Sequence, residues 1–198
     1  MCIRDRLQFG VNHLSHALLL KLLLPLLQRT ARATANAGTT SSVRIIIYAS
    51  LGMAFARSLP LHLMKTPLST WPMGPWQRYG FSKLSNILYA QQLAVHYPEI
   101  LSGSIQPGVI DTGLISNISW ANRAFVYATT VGQIVSVAEG AKNGLWVAFG
   151  QGESTADTKN GGFWEPVGKK GMETAMNTSE EAAKELWEWT QKELEGWN

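Results

Sequence analysis

The sequence predicts an α/β fold in which parallel strands alternate with helices. The run 43–49 is continuous and rich in Ile and Val, as in a strand buried on both faces of a parallel sheet. Residues 101–106 and 162–167 form two further short apolar runs that are typical of strands. Between and around these runs, apolar residues recur at helical spacing in four segments. We predict these helices at 7–32, 77–96, 136–149 and from 178 onward.

Length and composition indicate one globular domain. The 198 residues are 45% hydrophobic and 16% charged, which suits a packed core rather than a disordered chain. The net charge of +3 is modest, and no cluster of Lys and Arg indicates a nucleic-acid partner. The single Cys2 excludes an internal disulfide and fits a reducing, cytoplasmic location. Residues 1–6 are interpreted as a non-native start.

One apolar run could be mistaken for a membrane span. Residues 17–27 are too few to cross a bilayer, and Lys21 and Pro25 interrupt them. We therefore predict no transmembrane segment and interpret the run as a helix buried against the sheet. His13 and His16 lie three residues apart, but no cysteine or carboxylate cluster accompanies them, which favours core or surface histidines over a metal site.

The spacing of Tyr79 and Lys83 carries the strongest chemical signal. Four residues apart on a helix, the two side chains lie on one face. A free phenol has a pKa of about 10, and a nearby ammonium favours the phenolate and lowers that pKa. Such a phenol can exchange a proton with an alcohol or carbonyl oxygen. A solvated helix face is the plain alternative for this pair.

Other candidate residues stand at the ends of predicted elements. Ser50 directly follows the strand 43–49, at the end where open α/β sheets bind ligands. Pro107 and Gly108 follow the second strand, with Thr112 shortly after them; Pro-Gly is also a common plain turn. Asn12 lies near the start of the first helix, where an ordinary helix asparagine is the alternative.

Together these segments resemble the short-chain dehydrogenase/reductase family. The stretch Ser82-Lys83-Leu84-Ser85-Asn86 is similar to its retinol-dehydrogenase-like branch. The resemblance implies an oxidoreductase that moves a hydride between NAD or NADP and a small alcohol or carbonyl substrate. It also implies catalytic roles for Asn12, Ser50, Tyr79 and Lys83. Tyr79 and Lys83 would further hold the cofactor, together with Pro107, Gly108 and Thr112. The resemblance allows a homo-oligomeric parent and implies no metal.

The family's cofactor-binding opening is missing from the sequence. No Gly-x-x-x-Gly-x-Gly segment occurs, and neither does the Asn-Asn-Ala-Gly segment that usually precedes the asparagine helix. By resemblance, we therefore expect the C-terminal half of a Rossmann-like, doubly wound parallel sheet. The chain would be a truncated NAD(P)-binding domain that has lost about four strands. It would be inactive and poorly soluble alone, although its parent is an enzyme.

Two alternatives to an active dehydrogenase stay open from the sequence. One is an inactive fragment or a non-catalytic Rossmann-like scaffold. The other is a sugar epimerase, which shares the Tyr-Lys pair but is disfavoured by the short C-terminal part. Locally, we interpret the proline-rich segment 51–76 as a binding loop, and Thr178 with Glu181 as a capping box that opens the final helix.

Overall fold

The computed structural model describes residues 7–36, 43–64, 74–110, 120, 124, 127, 130, 134–150 and 159–197. It confirms an α/β fold with a predominantly parallel sheet between helices. Six strands lie in the described residues: β1 (Arg44–Tyr48), β2 (Leu101–Ile105), β3 (Val109–Ile110), β4 (Ile134–Val135), β5 (Phe163–Glu165) and β6 (Lys169–Lys170).

Helices connect and cover these strands. A π-helical turn (Gly10–Leu14) leads into the long first helix, and two short 3-10 helices (Leu51–Phe55 and Leu61–Leu63) follow β1. The second of the long helices contains the Tyr79–Lys83 pair. The four long helices are α1 (Ser15–Asn36), α2 (Gly74–His96), α3 (Val137–Phe149) and α4 (Glu180–Glu193).

The main sheet has the order β1-β2-β5-β6. β1 pairs with β2 and β2 pairs with β5, both in parallel, so the three predicted parallel strands are confirmed. Two features were not predicted: β6 pairs antiparallel with β5, and β3 pairs with β4 in a separate small ladder. Within the described residues, β1 is an edge strand with a paired neighbour on one side only.

Helices pack on both faces of this sheet. Ile45 and Ile47 of β1 belong to the larger core, to which α2 contributes three fully buried leucines and Ile87. Ile46 points the other way and joins a smaller cluster around Val147 of α3 and Trp164 of β5. Burial on both faces is therefore confirmed for the middle of β1, whereas Tyr48 at its end is half-exposed.

The first helix is less buried than predicted. It turns a narrow stripe toward the core, formed by Ala17, Leu24 and Ala31 at seven-residue spacing. Leu18, Leu20 and Leu27 are partly buried against the same core. The prediction of a helix buried against the sheet is wrong for its remaining leucines. About half of each side chain is exposed at Leu19, Leu22, Leu23 and Leu26.

The helix predicted at 7–32 is observed and extends four residues further. The continuous helix runs over Leu7–Asn36, which is 30 residues, and it contains the apolar run 17–27. By length and composition alone it could cross a membrane, although core helices and signal sequences can meet the same criterion.

The cap of α4 differs by one residue from the prediction. Ser179, not Thr178, has the extended backbone of a capping residue, and its Oγ accepts from the N–H of Ala182 at 3.1 Å. Thr178 instead donates its hydroxyl to the Thr174 carbonyl at 2.8 Å. A serine side chain at this position satisfies one of the free N–H groups in the first helical turn.

Candidate active site

The site is built at the carboxyl end of β1. Ser50 follows the strand with an extended backbone and caps the 3-10 helix, and its Oγ accepts from the N–H of Gly52 at 3.1 Å. A side chain at Gly52 would meet the ring of Tyr79, because an added Cβ would lie 2.6 Å from Cε1. Glycine at this position therefore allows the phenol to approach the strand end closely.

Tyr79 lies on α2 and is hydrogen-bonded to Ser50. Burial of the phenol raises the pKa of Tyr79 above its ordinary value, and the hydrogen bond to Ser50 partly offsets this by lowering it. The sequence predicted a pKa lowered by Lys83. The pKa of Tyr79 is raised instead, because the loss of hydration of the phenolate on burial outweighs the hydrogen bond to Ser50.

Lys83 stands beside this phenol, as the spacing predicts. Its Nζ is 5.7 Å from the centroid of the Tyr79 ring. The ammonium donates to the backbone carbonyl of Tyr48 at 3.1 Å, which ties α2 to the last residue of β1. Partial burial lowers the pKa of Lys83, because the charged form loses hydration.

Asn12 reaches the same helix from the π-helical turn. Such turns are rare and occur often at functional sites. The Nδ2 of Asn12 donates to Ser82 Oγ at 3.1 Å, and Ser82 Oγ donates to the carbonyl of Tyr79 at 2.8 Å. Ser82 is fully buried. Asn12 therefore contacts α2 between Tyr79 and Lys83, while its predicted part in a proton relay stays a prediction.

His13, the next residue, is a core histidine. It is 1% exposed, and its ring contacts Asn86 of α2 and Thr190 of α4. Burial lowers the pKa of His13 to about 4, so the ring is neutral at pH 7. His16 is exposed. In the described part of the chain, no group of three or more His, Cys, Asp or Glu residues could hold a metal ion.

Pro107 and Gly108 follow the neighbouring strand β2. Gly108 has φ +94°, a left-handed conformation that favours glycine, and its N–H contacts the side-chain oxygen of Gln106. Val135 of the β3–β4 ladder lies over it, since an added Cβ would be 3.3 Å from Val135 Cγ2. Thr112, the third predicted residue of this segment, lies outside the described residues.

A buried asparagine, which the sequence did not single out, anchors this segment. Asn143 of α3 is fully buried and donates to the carbonyls of Gln106 at 2.9 Å and Trp164 at 3.1 Å. Its Oδ1 accepts from the N–H of Gly168 at 3.0 Å. Asn143 thus links the ends of β2 and β5, and nothing in its local sequence distinguishes it from a solvent-facing helix asparagine.

The structure brings the predicted residues together at the carboxyl ends of the strands β1 and β2. Asn12, Ser50, Tyr79 and Lys83 surround the end of β1, and Pro107 with Gly108 follows the end of the parallel neighbour β2. Two further contact residues, Ser82 and Asn86, lie within the motif that carried the resemblance, but no local pattern assigns them a role.

Two of three similar proteins carry the same family name, and the third is named only as an oxidoreductase. A short-chain dehydrogenase/reductase of Aspergillus calidoustus, drtF, is 30% identical over 196 residues, covering 94% of this chain. An uncharacterized oxidoreductase of Schizosaccharomyces pombe is 30% identical over 84% of the chain. A short-chain dehydrogenase/reductase of Armillaria gallica is 29% identical over 92% of it. No family model matches the sequence.

A solved structure shares the fold. The crystal structure of an uncharacterized protein from Mycobacterium paratuberculosis superimposes with a TM-score of 0.60 over 93% of this chain, at 20% identity. The relatives are longer: the chain spans 60%, 48% and 55% of the length of the three sequence relatives, and 57% of the solved chain.

Proposed function

This chain belongs to the short-chain dehydrogenase/reductase family, and from that membership we propose that the complete gene product interconverts an alcohol and a carbonyl compound. NAD or NADP would serve as the hydride carrier. The retinol-dehydrogenase-like branch, suggested by the residues around Lys83, forms part of the same proposal. The substrate would be a small molecule.

One observation carries the proposal. A phenol, a hydroxyl and an ammonium converge at the carboxyl end of β1, with Tyr79 hydrogen-bonded to Ser50 and Lys83 Nζ 5.7 Å from its ring. Ligands of open α/β sheets bind at this end of the strands. A phenol with such neighbours suits proton transfer to an oxygen atom better than it suits core packing.

Each side chain has a distinct task in this proposal. Tyr79 donates its phenolic proton to the carbonyl oxygen during reduction and accepts the alcohol proton during oxidation. The Ser50 hydroxyl hydrogen-bonds the reacting oxygen and orients it toward the phenol. The Lys83 ammonium favours the phenolate form of Tyr79 against the burial that raises its pKa. Asn12, which lies in the π-helical turn, supports the relay of protons to and from Tyr79.

The residues near the strand ends fit a nicotinamide group. Gly108 provides a backbone without a side chain where β2 ends, and its positive φ lets the chain turn away from that edge. Lys83 supplies a cation that could hold ribose hydroxyls. When bound, the nicotinamide supplies or accepts the hydride. Tyr79, Lys83, Pro107 and Gly108, with Thr112 from the resemblance, would hold it.

The test is an assay of the complete gene product with NADH and with NADPH. A panel of aldehydes and ketones should oxidise one of the two cofactors, and Ser50→Ala should lower kcat/KM by roughly 10²-fold or more through loss of the oriented oxygen. Ser58→Ala, at an exposed serine in the same segment, is the matched control. Binding of neither cofactor, with no turnover on any substrate, would favour the non-catalytic scaffold instead.

A further inference from the structure

The carbonyl oxygen of Tyr48 receives two side-chain donors from α2. Lys83 Nζ lies 3.1 Å from it and Asn86 Nδ2 lies 3.0 Å from it. The two donors are three residues apart, so they project from the same face of the helix. A carbonyl oxygen has two lone pairs, and these two donors occupy both of them.

The Tyr48 carbonyl determines which way the Asn86 amide points, and the amide in turn determines which nitrogen of His13 carries the proton. The Tyr48 carbonyl can only accept, so the amide nitrogen of Asn86 must face it and Oδ1 must face away. That oxygen lies 3.4 Å from His13 Nδ1, which must therefore carry the proton. His13 Nε2 is then free to accept the hydroxyl of Thr190 at 3.0 Å. Only one arrangement satisfies every donor and acceptor.

We propose that Asn86 is a positioning residue that holds the Lys83 ammonium in place. Its amide, which also contacts His13 on its other side, fills one lone pair of the Tyr48 carbonyl and leaves only the other to Lys83. The effect on turnover rests on the proposed function, whereas the effect on Lys83 itself does not.

Lysine needs such help more than most side chains. Its ammonium is a point charge on a flexible four-carbon stem with three rotatable donors, so one open acceptor does not fix it. Asn86 is 4% exposed and hydrogen-bonded on both sides, and therefore makes a rigid neighbour. Without it, either lone pair becomes available, and Lys83 gains freedom to move from beside the Tyr79 ring toward water.

The experiment follows Lys83 directly in protein without cofactor. The complete gene product is labelled with ¹³C at the lysine side chains, and the Lys83 signal is assigned by its loss in Lys83→Met and then titrated. Asn86→Leu removes the donor. Asn86→Ser removes the same donor without added bulk, so it reports the loss if the leucine variant does not fold. Asn160→Leu is the matched control, because Asn160 bonds the backbone at the opposite end of β2.

In both Asn86 variants, the pKa of Lys83 should rise toward that of an exposed lysine, about 10.4, because the ammonium regains water. It should stay lowered in Asn160→Leu. An unchanged Lys83 titration in a folded Asn86 variant would overturn the inference and leave Asn86 as a core residue only.

A second readout connects the inference to catalysis. In the proposed reduction of a carbonyl compound, loss of Asn86 should lower kcat/KM roughly tenfold or more. The alkaline limb of the pH profile of kcat/KM, on which Tyr79 loses its proton, should move to higher pH. An unmoved limb with full activity would contradict the positioning role. Absence of turnover in the wild-type protein would count against the proposed function alone, and the Lys83 titration would still decide the role of Asn86.

Discussion

His13 and Thr190 lie 177 positions apart in the chain, yet His13 Nε2 is 3.0 Å from Thr190 Oγ1. This hydrogen bond joins the turn that carries Asn12 to the C-terminal helix α4. Phe9 supports the same contact, with its ring in an edge-to-face arrangement 5.7 Å from Trp189. The last helix therefore helps to hold the turn from which Asn12 reaches α2.

Burial of His13 should make stability depend on pH. Its pKa is about 4 in the folded protein and about 6.5 when unfolded, so the unfolded chain binds more protons between these values. The free energy of unfolding should be at its full value above pH 6.5 and fall by up to about 3 kcal/mol as the pH decreases to 4, at about 1.4 kcal/mol per pH unit.

Urea denaturation at a series of pH values checks this expectation. His13→Gln should be less stable at pH 7 but should lose most of this slope, whereas His16→Gln, at an exposed position, should retain it. Equal slopes in His13→Gln and the wild type would show that other groups cause the pH dependence.

Lys83→Met should move the pH profile of the proposed oxidation. Removing the ammonium takes away a positive charge that favours the phenolate, so the pKa of Tyr79, already raised by burial, should rise further. The limb on which the oxidation rate rises with pH, as Tyr79 loses its proton, should shift to higher pH, with a lower rate throughout. Lys142→Met, at an exposed lysine of α3 paired with Glu139, serves as the control. A stationary limb and full activity in Lys83→Met would reduce Lys83 to a surface lysine.

Gly52→Ala should reduce activity more than stability. An added Cβ would lie 2.6 Å from Tyr79 Cε1 and 2.8 Å from Cδ1, so the phenol must move relative to Ser50. Small displacements of reacting groups cost up to roughly 10² in rate. Ala54→Ser, at an exposed position of the same 3-10 helix, should keep the wild-type kcat/KM. Wild-type kinetics in Gly52→Ala would contradict the close approach of the phenol.

The 198-residue chain on its own should be poorly soluble and bind NAD(P)H only slightly. Its sequence lacks the glycine-rich turn that seats a pyrophosphate at a helix N-terminus. Within the described residues, β1 is an edge strand, and such edges invite pairing between chains. Size-exclusion chromatography and fluorescence titration test both points. A soluble monomer with micromolar affinity for NAD(P)H would falsify this expectation.

The sequence was informative where one local pattern determines one element. The β-branched run predicted β1 to within one residue at each end, and the strand predicted at 101–106 is observed as Leu101–Ile105. The helical spacing also placed Tyr79 and Lys83 on one side of α2. In these cases the neighbouring residues carry the physical cause.

Contacts between residues far apart in the chain could not be predicted from such local patterns. Burial of His13 depends on α4, which lies more than 160 residues later, and the direction of the Tyr79 pKa depends on how much water the fold excludes. The role of Asn143 likewise requires the ends of β2 and β5 to meet. These properties arise from tertiary packing, which no local sequence window contains.

The most direct test of the account is Tyr79→Phe in the complete gene product, with Tyr97→Phe just after α2 as the matched control. Turnover should fall by roughly 10²- to 10⁴-fold, the range expected for loss of a positioned proton donor, while affinity for NAD(P)H stays nearly unchanged. Tyr97→Phe should behave as the wild type. Wild-type turnover in Tyr79→Phe would contradict the assignment of Tyr79 as the catalytic acid and base.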